Sequence, residues 1–340
     1  MKIETAINAL IDKQDLSADD MTAVMRIIMQ GQASPAQIGG FLVALRMKGE
    51  VVTEIAAAAN VMRELASKVE IEHANLVDIV GTGGDVGNTF NISTCAAFVI
   101  AAAGGKVAKH NNRSVSSKCG SADVLEAAGV KLELSSEQVK LCIDKVGIGF
   151  MFAPMHHSAM KHAVGPRKEL ATRTIFNLLG PLTNPANTLN ELMGVFSDLL
   201  VVPMTEVLQC LGAKHVMVVH SEDGLDEISI SASSNVAELK NDQITNYQIT
   251  PDQFDIARGD LSEITVDNVA DSLKIINRVL DGQMGATRDI VLLNAGAAIY
   301  VAGLTADHQS GIEKARQVID DGTARQKLNE LVEFSNTLLS

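Results

Sequence analysis

The spacing of apolar residues changes once along this chain, near residue 70, and that change constrains the fold more than any other feature. Through residue 68, "TAINALID", "MTAVMRIIMQG", "SPAQIGGFLVALRMKG" and "TEIAAAANVMRELASK" carry apolar residues at helical spacing. Ser34-Pro35 predicts a helix start, and Gly31 and Gly49 predict stops. From residue 76 the pattern becomes short apolar runs separated by helical ones. "LVDIV", "KVAKH", "IGFMFAP" and "HVMVVHS" read as strands. Ser93–Ala103, "SADVLEAAG" and residues 268–281, 286–303 and 306–337 read as helices. Alternating strands and helices predict an α/β class with a mostly parallel central sheet. The expected division is a helical domain over 1–70 and a larger α/β domain over 71–340. Residues 154–190, rich in polar and turn residues, are expected to return to the helical domain, near 160–185.

Composition narrows the function classes. The formal net charge of −13 argues against a general nucleic-acid surface or an anionic-membrane surface. It leaves room for a local basic pocket. The longest apolar stretch, Cys95 to Ala103, is too short to span a bilayer. Cys95, Cys119, Cys142 and Cys210 lack metal-finger spacing and read as thiols of a reducing compartment. A cytoplasmic protein is expected.

Four segments carry candidate chemistry. "IVGTGGDVGNTFNIST", residues 79–94, places glycines between a strand and a helix, where bare N–H groups and the helix dipole can cradle an anion. An ordinary tight turn explains the glycines equally well, and Asn91, Ser93 and Thr94 also suit helix caps. "KHNNRSVSSKCGSAD", residues 109–123, gathers cations, amides and hydroxyls without apolar filler, which points to an anion. "SEDGLDEIS", residues 221–229, taken alone reads first as a solvated acidic turn; beside a phosphate its adjacent carboxylates suit Mg²⁺. On a regular strand those two side chains would face opposite ways, so a shared metal requires a loop or bridging waters. In "HHSAMKHAVGPRKELATRTIFNLLGPLTNP", residues 156–185, Arg167 and Arg173 are candidates for a carboxylate.

Taken together, GTGGD at 81–85, NIST at 91–94, KHNNR at 109–113, GSADVLEAAG at 120–129, RTIFNLLGPLTNP at 173–185 and DGLDE at 223–227 resemble the anthranilate phosphoribosyltransferase family, in order along nearly the whole chain. The resemblance implies a nucleoside phosphorylase/phosphoribosyltransferase-like fold. It implies a homodimer formed through the helical part. The implied reaction, in tryptophan biosynthesis, moves phosphoribosyl from PRPP to the amine of anthranilate and releases pyrophosphate. It implies PRPP contacts at Gly81, Gly84, Asp85, Thr89, Asn91, Ile92, Ser93 and Thr94. Further contacts are implied from Lys109, His110, Asn111, Asn112, Arg113, Ser114, Val115, Ser116 and Ser117, and from Ser121. Lys109, His110 and Arg113 are the candidate catalytic residues, with His110 open to either a base or an orienting role. Gly81, Asn112 and Arg167 match anthranilate positions. Ser93, Asp226 and Glu227 match positions for Mg²⁺, two ions with PRPP.

Two departures stand out. The family has glycine where Asn111 and Ala171 stand. Asn tolerates the left-handed region, so Asn111 is expected at positive φ, while Ala171 is expected to lie away from the ligands. A pyrimidine nucleoside phosphorylase-like enzyme and a non-enzymatic nucleic-acid-binding relative remain as alternatives. The acidic pair and the net charge speak against them.

Overall fold

The computed structural model describes residues 1–72, 74–83, 88–113 and 119–338. It opens with four helices, α1 (Ile3–Ile11), α2 (Ala18–Met29), α3 (Pro35–Lys48) and α4 (Val52–Leu65). Their ends follow from local chemistry. The Ser34 hydroxyl accepts the Gln37 N–H and the Gln37 side chain returns to the Ser34 N–H, with Pro35 at the first helical position. Gly49, at φ 95°, ends the same helix.

The α/β part follows as β1 (Leu76–Gly81), α5 (Ile92–Ala102), β2 (Lys106–Asn111), α6 (Ser121–Ala127), α7 (Ser136–Val146) and β3 (Ile148–Phe152). Next come α8 (Ala153–His156), α9 (Lys161–Leu170), α10 (Phe176–Leu182), β4 (Asn190–Gly194), α11 (Val201–Cys210) and β5 (His215–Ser221). The chain closes with β6 (Ser234–Lys240), β7 (Gln243–Ile249), α12 (Val269–Leu280), α13 (Ala286–Val301), α14 (His308–Asp320) and α15 (Thr323–Thr337). The expected single helical stretch over 306–337 is two helices, separated at Asp321-Gly322, where Gly322 has φ 79°.

The sheet order is β3-β2-β1-β4-β5-β6-β7. The first five strands are parallel, and β6 and β7 add an antiparallel ribbon. From β1 the chain builds outward through β2 and β3, then returns to β1's other edge with β4. Strand order therefore reverses at β1, and ligands in open α/β sheets bind in the crevice outside the strand ends at such a point.

Both faces of the sheet are covered. On β5, Met217 and Val219 face a core built with α5, α7, α12, α13, α14 and α15. Val216 and Val218 face the other way, into a core shared by α11, α10, α9 and the four N-terminal helices. This second core is continuous from Ile3 to Leu239, so the helical segment packs into the sheet's own apolar layer. Helix α9 lies on α2 and α3, and α10 on α4. At the centre of the first core, α5 is buried from Thr94 to Ala101, each fully buried Val, Ile or Phe contributing about 1.5–3 kcal/mol.

Candidate active site

Strand β1 changes partner half-way along. Leu76 and Val77 pair with Lys106 and Val107 of β2, and from Asp78 to Gly81 the strand pairs with Glu191–Gly194 of β4. Beyond Val77, side chains fill the gap between β1 and β2. The Lys109 ammonium, 1% exposed, crosses from β2 and donates to the Ile79 carbonyl at 2.7 Å and to Ser93 Oγ at 3.2 Å. Ser93 stands in the first turn of α5, so the helix N-terminus and a cation meet at one point. Burial pushes the Lys109 ammonium below its ordinary range, while the charges of Asp78 and Glu227 act to keep it protonated.

The acidic pair is held opposite. Residues 222–233 form a loop, so Asp226 and Glu227 are free of strand alternation. Ser221 Oγ donates to the Glu227 carbonyl at 2.6 Å, and the Asn294 amide of α13 clamps both backbone groups of Ile228 at 2.9 Å. Asp223 turns inward and accepts the hydroxyls of Ser229 and Ser231. Asp226 is 8% exposed, and its Oδ2 accepts the Gly83 N–H at 2.8 Å. Two glycines make room for it. A Cβ on Gly81 would lie 2.3 Å from Asp226 Oδ2, and one on Gly194 would lie 1.5 Å from the Asp226 carbonyl oxygen. Gly83 is different: it has φ 68° and no described residue crowds its Cβ position, so it serves the backbone turn. The glycines of the loop thus divide between close approach and dihedral freedom.

Among the described residues no three His, Cys, Asp or Glu side chains converge on a metal position. Two adjacent carboxylates and the Ser93 hydroxyl suit Mg²⁺ nonetheless, because that ion keeps waters and takes its remaining oxygens from phosphate.

The other candidates distribute unevenly. Thr89 forms an isolated bridge with Thr265. Asn91 precedes α5 without capping it through its side chain. Its Nδ2 donates to the Cys119 carbonyl, and its Oδ1 accepts from Ser272 Oγ. Ile92 lies in the apolar core. Thr94 is buried, and its Oγ1 has no hydrogen-bond partner among the described residues. Asn112 is exposed at the end of β2, its Oδ1 accepting the Arg113 N–H at 2.7 Å. Ser121 opens α6 and is buried. Arg113 turns toward α6, forming ion pairs with Asp123 at 3.1 Å and Glu126 at 2.7 Å. Gly84, Asp85, Ser114, Val115, Ser116 and Ser117 lie outside the described residues.

His110 is 4% exposed and interior. Its Nε2 is 3.2 Å from Nε2 of His157, and its ring also bonds the Gly180 carbonyl. Burial lowers both imidazoles, His157 to about 4, so the pair is neutral at pH 7. With Nε2 facing His157 and the ring bonded to the Gly180 carbonyl, His110 is held in place at the end of β2.

Asn111 corrects an expectation. It is the last residue of β2, paired in register with Phe152, and it is absent from the described residues with positive φ. The ladder to β3 holds it extended, and its Oδ1 accepts the Asn112 N–H at 2.8 Å. Positive φ occurs instead at the other departure. Ala171, at φ 47°, is the left-handed cap of α9, and its N–H reaches the Arg167 carbonyl at 3.3 Å. It therefore ends the helix that carries Arg167, an anthranilate candidate. The Arg167 guanidinium stacks 5.0 Å from the Phe176 ring centroid, and burial lowers its pKa. Among the described residues it has no ion pair.

Residues 4–66 match the model of the glycosyl transferase family helical bundle domain, and residues 73–325 match that family's a/b domain. The chain is 60% identical over 335 residues to an anthranilate phosphoribosyltransferase of Thioalkalivibrio sulfidiphilus, covering 98% of this chain and 99% of that one. The chain belongs to the anthranilate phosphoribosyltransferase family. The crystal structure of the family member from Thermus thermophilus superposes with a TM-score of 0.92 at 42% identity, covering 97% of this chain and 99% of that one. The Saccharomyces cerevisiae member, solved in complex with PRPP and Mg, gives 0.90 at 26% identity over 98% of each chain. A second structure of the yeast protein, with 4-fluoroanthranilate, gives 0.88 at 25% identity over 99% of each.

Sequence reasoning passed over Asp78 and Asn184 in this family member. Asn184 Nδ2 donates to Asp78 Oδ2 at 2.6 Å and to the Ala108 carbonyl at 2.8 Å. Asp78 also accepts the Ile79 and His110 N–H groups. The available signal was the carboxylate inside the apolar run "LVDIV", since a buried charge requires partners.

Proposed function

We propose that this chain is an anthranilate phosphoribosyltransferase acting at the β1 switch point. It transfers the phosphoribosyl group of PRPP to the amine of anthranilate, giving N-(5-phosphoribosyl)anthranilate and pyrophosphate, with Mg²⁺ as cofactor. The observation that carries this reading is that Lys109, Ser93, the Gly81–Gly83 turn and Asp226 gather around the C-terminal end of β1. The amine attacks C1 of the ribose as the C1–oxygen bond to pyrophosphate breaks, and the amine's proton passes to solvent or to the departing pyrophosphate. Lys109 holds fixed positive charge where negative charge develops on the leaving group. Asp226, Glu227 and Ser93 would hold Mg²⁺, which supplies charge neutralisation at the diphosphate. Two ions with PRPP belong to this proposal. Arg167, desolvated over Phe176, offers anthranilate's carboxylate a bidentate partner.

The division at residue 70, a homodimer through the helical part and a cytoplasmic setting complete the proposal. Exposed Ile11 and Met47, on α1 and α3, support the dimer surface. The four cysteines are free thiols, and no helix among the described residues is long and apolar enough to cross a membrane. The test is incubation with PRPP, anthranilate and Mg²⁺. N-(5-phosphoribosyl)anthranilate identified by mass supports the reading, and unconsumed anthranilate overturns it.

A further inference from the structure

The segment "LTNP" reads as a turn, yet Asn184 is 2% exposed and has every side-chain polar atom engaged. Its two donors reach Asp78 Oδ2 on β1 and the Ala108 carbonyl on β2, while its Oδ1 accepts the Ala186 N–H at 2.8 Å. The amide's orientation is fixed by these partners, two acceptors on the nitrogen and one donor on the oxygen. The two strand partners sit where the β1–β2 ladder has just ended at Val77 and Val107. One side chain therefore replaces the ladder. On the far side of the same gap Lys109 crosses to the Ile79 carbonyl and Ser93. Asp78, held by Asn184, also takes the N–H of Ile79, whose carbonyl receives the ammonium, and the N–H of His110, the neighbour of Lys109.

We propose that Asn184 is a positioning residue: it spans the opened β1–β2 gap and thereby delivers the Lys109 ammonium to Ser93, where the diphosphate of PRPP binds. The proposal rests on the reading of the site as a PRPP site. Asn184 does not touch substrate. It acts through Asp78, Ala108 and the strand ends they fix. A truncated side chain leaves Asp78 short of a donor and lets the two strands close or slide, moving Nζ of Lys109 from its two acceptors.

The experiment measures PRPP affinity by calorimetry, in the presence of Mg²⁺, for wild type, N184A, K109M and the N184A/K109M double variant. If Asn184 acts through Lys109, N184A weakens PRPP binding about tenfold, which is about 1.4 kcal/mol. In the K109M background the same change then costs less than about twofold, the non-additivity expected of residues in one network. Equal losses in both backgrounds overturn the proposal and leave a purely structural residue. Should N184A fail to fold, N184S, which keeps one donor, is expected to show the same coupling in reduced size, and additive losses there overturn it. Wild-type protein that binds no PRPP refutes the reading of the site instead, so the two failures are distinct.

Discussion

Gly81→Ala tests the claim that the glycine loop exists to let Asp226 approach β1. The added Cβ would stand 2.3 Å from Asp226 Oδ2 and 2.9 Å from Cγ, against an ordinary contact of at least 3.4 Å. Gly81 is fixed on its strand by pairing with Gly194, so the carboxylate must give way. It must move by roughly 1 Å, a misplacement that can cost about 10²-fold at a catalytic centre. Moving it also breaks the 2.8 Å bond from the Gly83 N–H, a charge-assisted bond worth about 1.5–3 kcal/mol. On the scale of tenfold per 1.4 kcal/mol, that second route gives about 10- to 150-fold, so the two agree. The expected outcome is a fall in kcat/KM within that range, with the Mg²⁺ concentration for half-maximal rate raised. The assay is loss of anthranilate fluorescence at saturating PRPP while Mg²⁺ is titrated. A G81A protein that keeps both kcat/KM and Mg²⁺ half-saturation within twofold of wild type refutes the reasoning.

Three further outcomes follow. Arg167→Ala is expected to weaken anthranilate binding by about 2–5 kcal/mol, the cost of leaving one partner of a desolvated charge pair unmet; an unchanged anthranilate KM with unchanged PRPP affinity removes Arg167 from the site. Ala171→Gly relieves a left-handed alanine, worth about 1–2 kcal/mol, against about 0.4–1 kcal/mol of added unfolded-state freedom. A net gain of roughly 0.5–1 kcal/mol in denaturant unfolding follows from that difference, and a loss of stability contradicts it. Burial depresses the folded-state pKa of His157 to about 4, below the unfolded value near 6.5, so its contribution is fully present above pH 6.5 and is lost as pH falls toward 4. Asp78 and Glu191, raised by burial, act in the opposite sense and are common to both proteins compared. Wild type should therefore lose more stability than His157→Gln between pH 6.5 and pH 4, and parallel stability curves would count against the buried neutral pair.

How far the sequence could be read depends on what each residue packs against. Strands bounded by apolar runs, β1, β2, β3 and β5, show in the pattern because both faces of a parallel sheet are buried. β7, "QITNYQI", is an exposed edge with polar residues on most positions, and β4, "NELMG", opens with Asn190 and the buried Glu191. Neither has the period that marks a strand. The glycines after β1 and the acidic DGLDE segment stand out in the sequence because each cluster is local. The supports were not. Asn184 meets Asp78 across 106 positions, and Asp226 meets Gly83 across 143. Nothing in a linear pattern announces such pairs. The two missing glycines show the same limit from another side. At position 111 the family's glycine predicts the unusual backbone, yet pairing with Phe152 makes it ordinary. Position 171 carries the unusual backbone because a helix ends there.

The central claim is that Asp226 and Glu227 act on PRPP through Mg²⁺ at the β1 switch point. Its most direct test is the initial rate of anthranilate fluorescence loss with PRPP, measured against Mg²⁺ concentration for wild type and for the variant with Asp226→Ala and Glu227→Ala together. The wild-type rate is expected to rise from nothing in EDTA to saturation, and the double variant to lose on the order of 10²-fold or more at every Mg²⁺ concentration. Full wild-type rate in EDTA, or a double variant that matches wild type, contradicts the account.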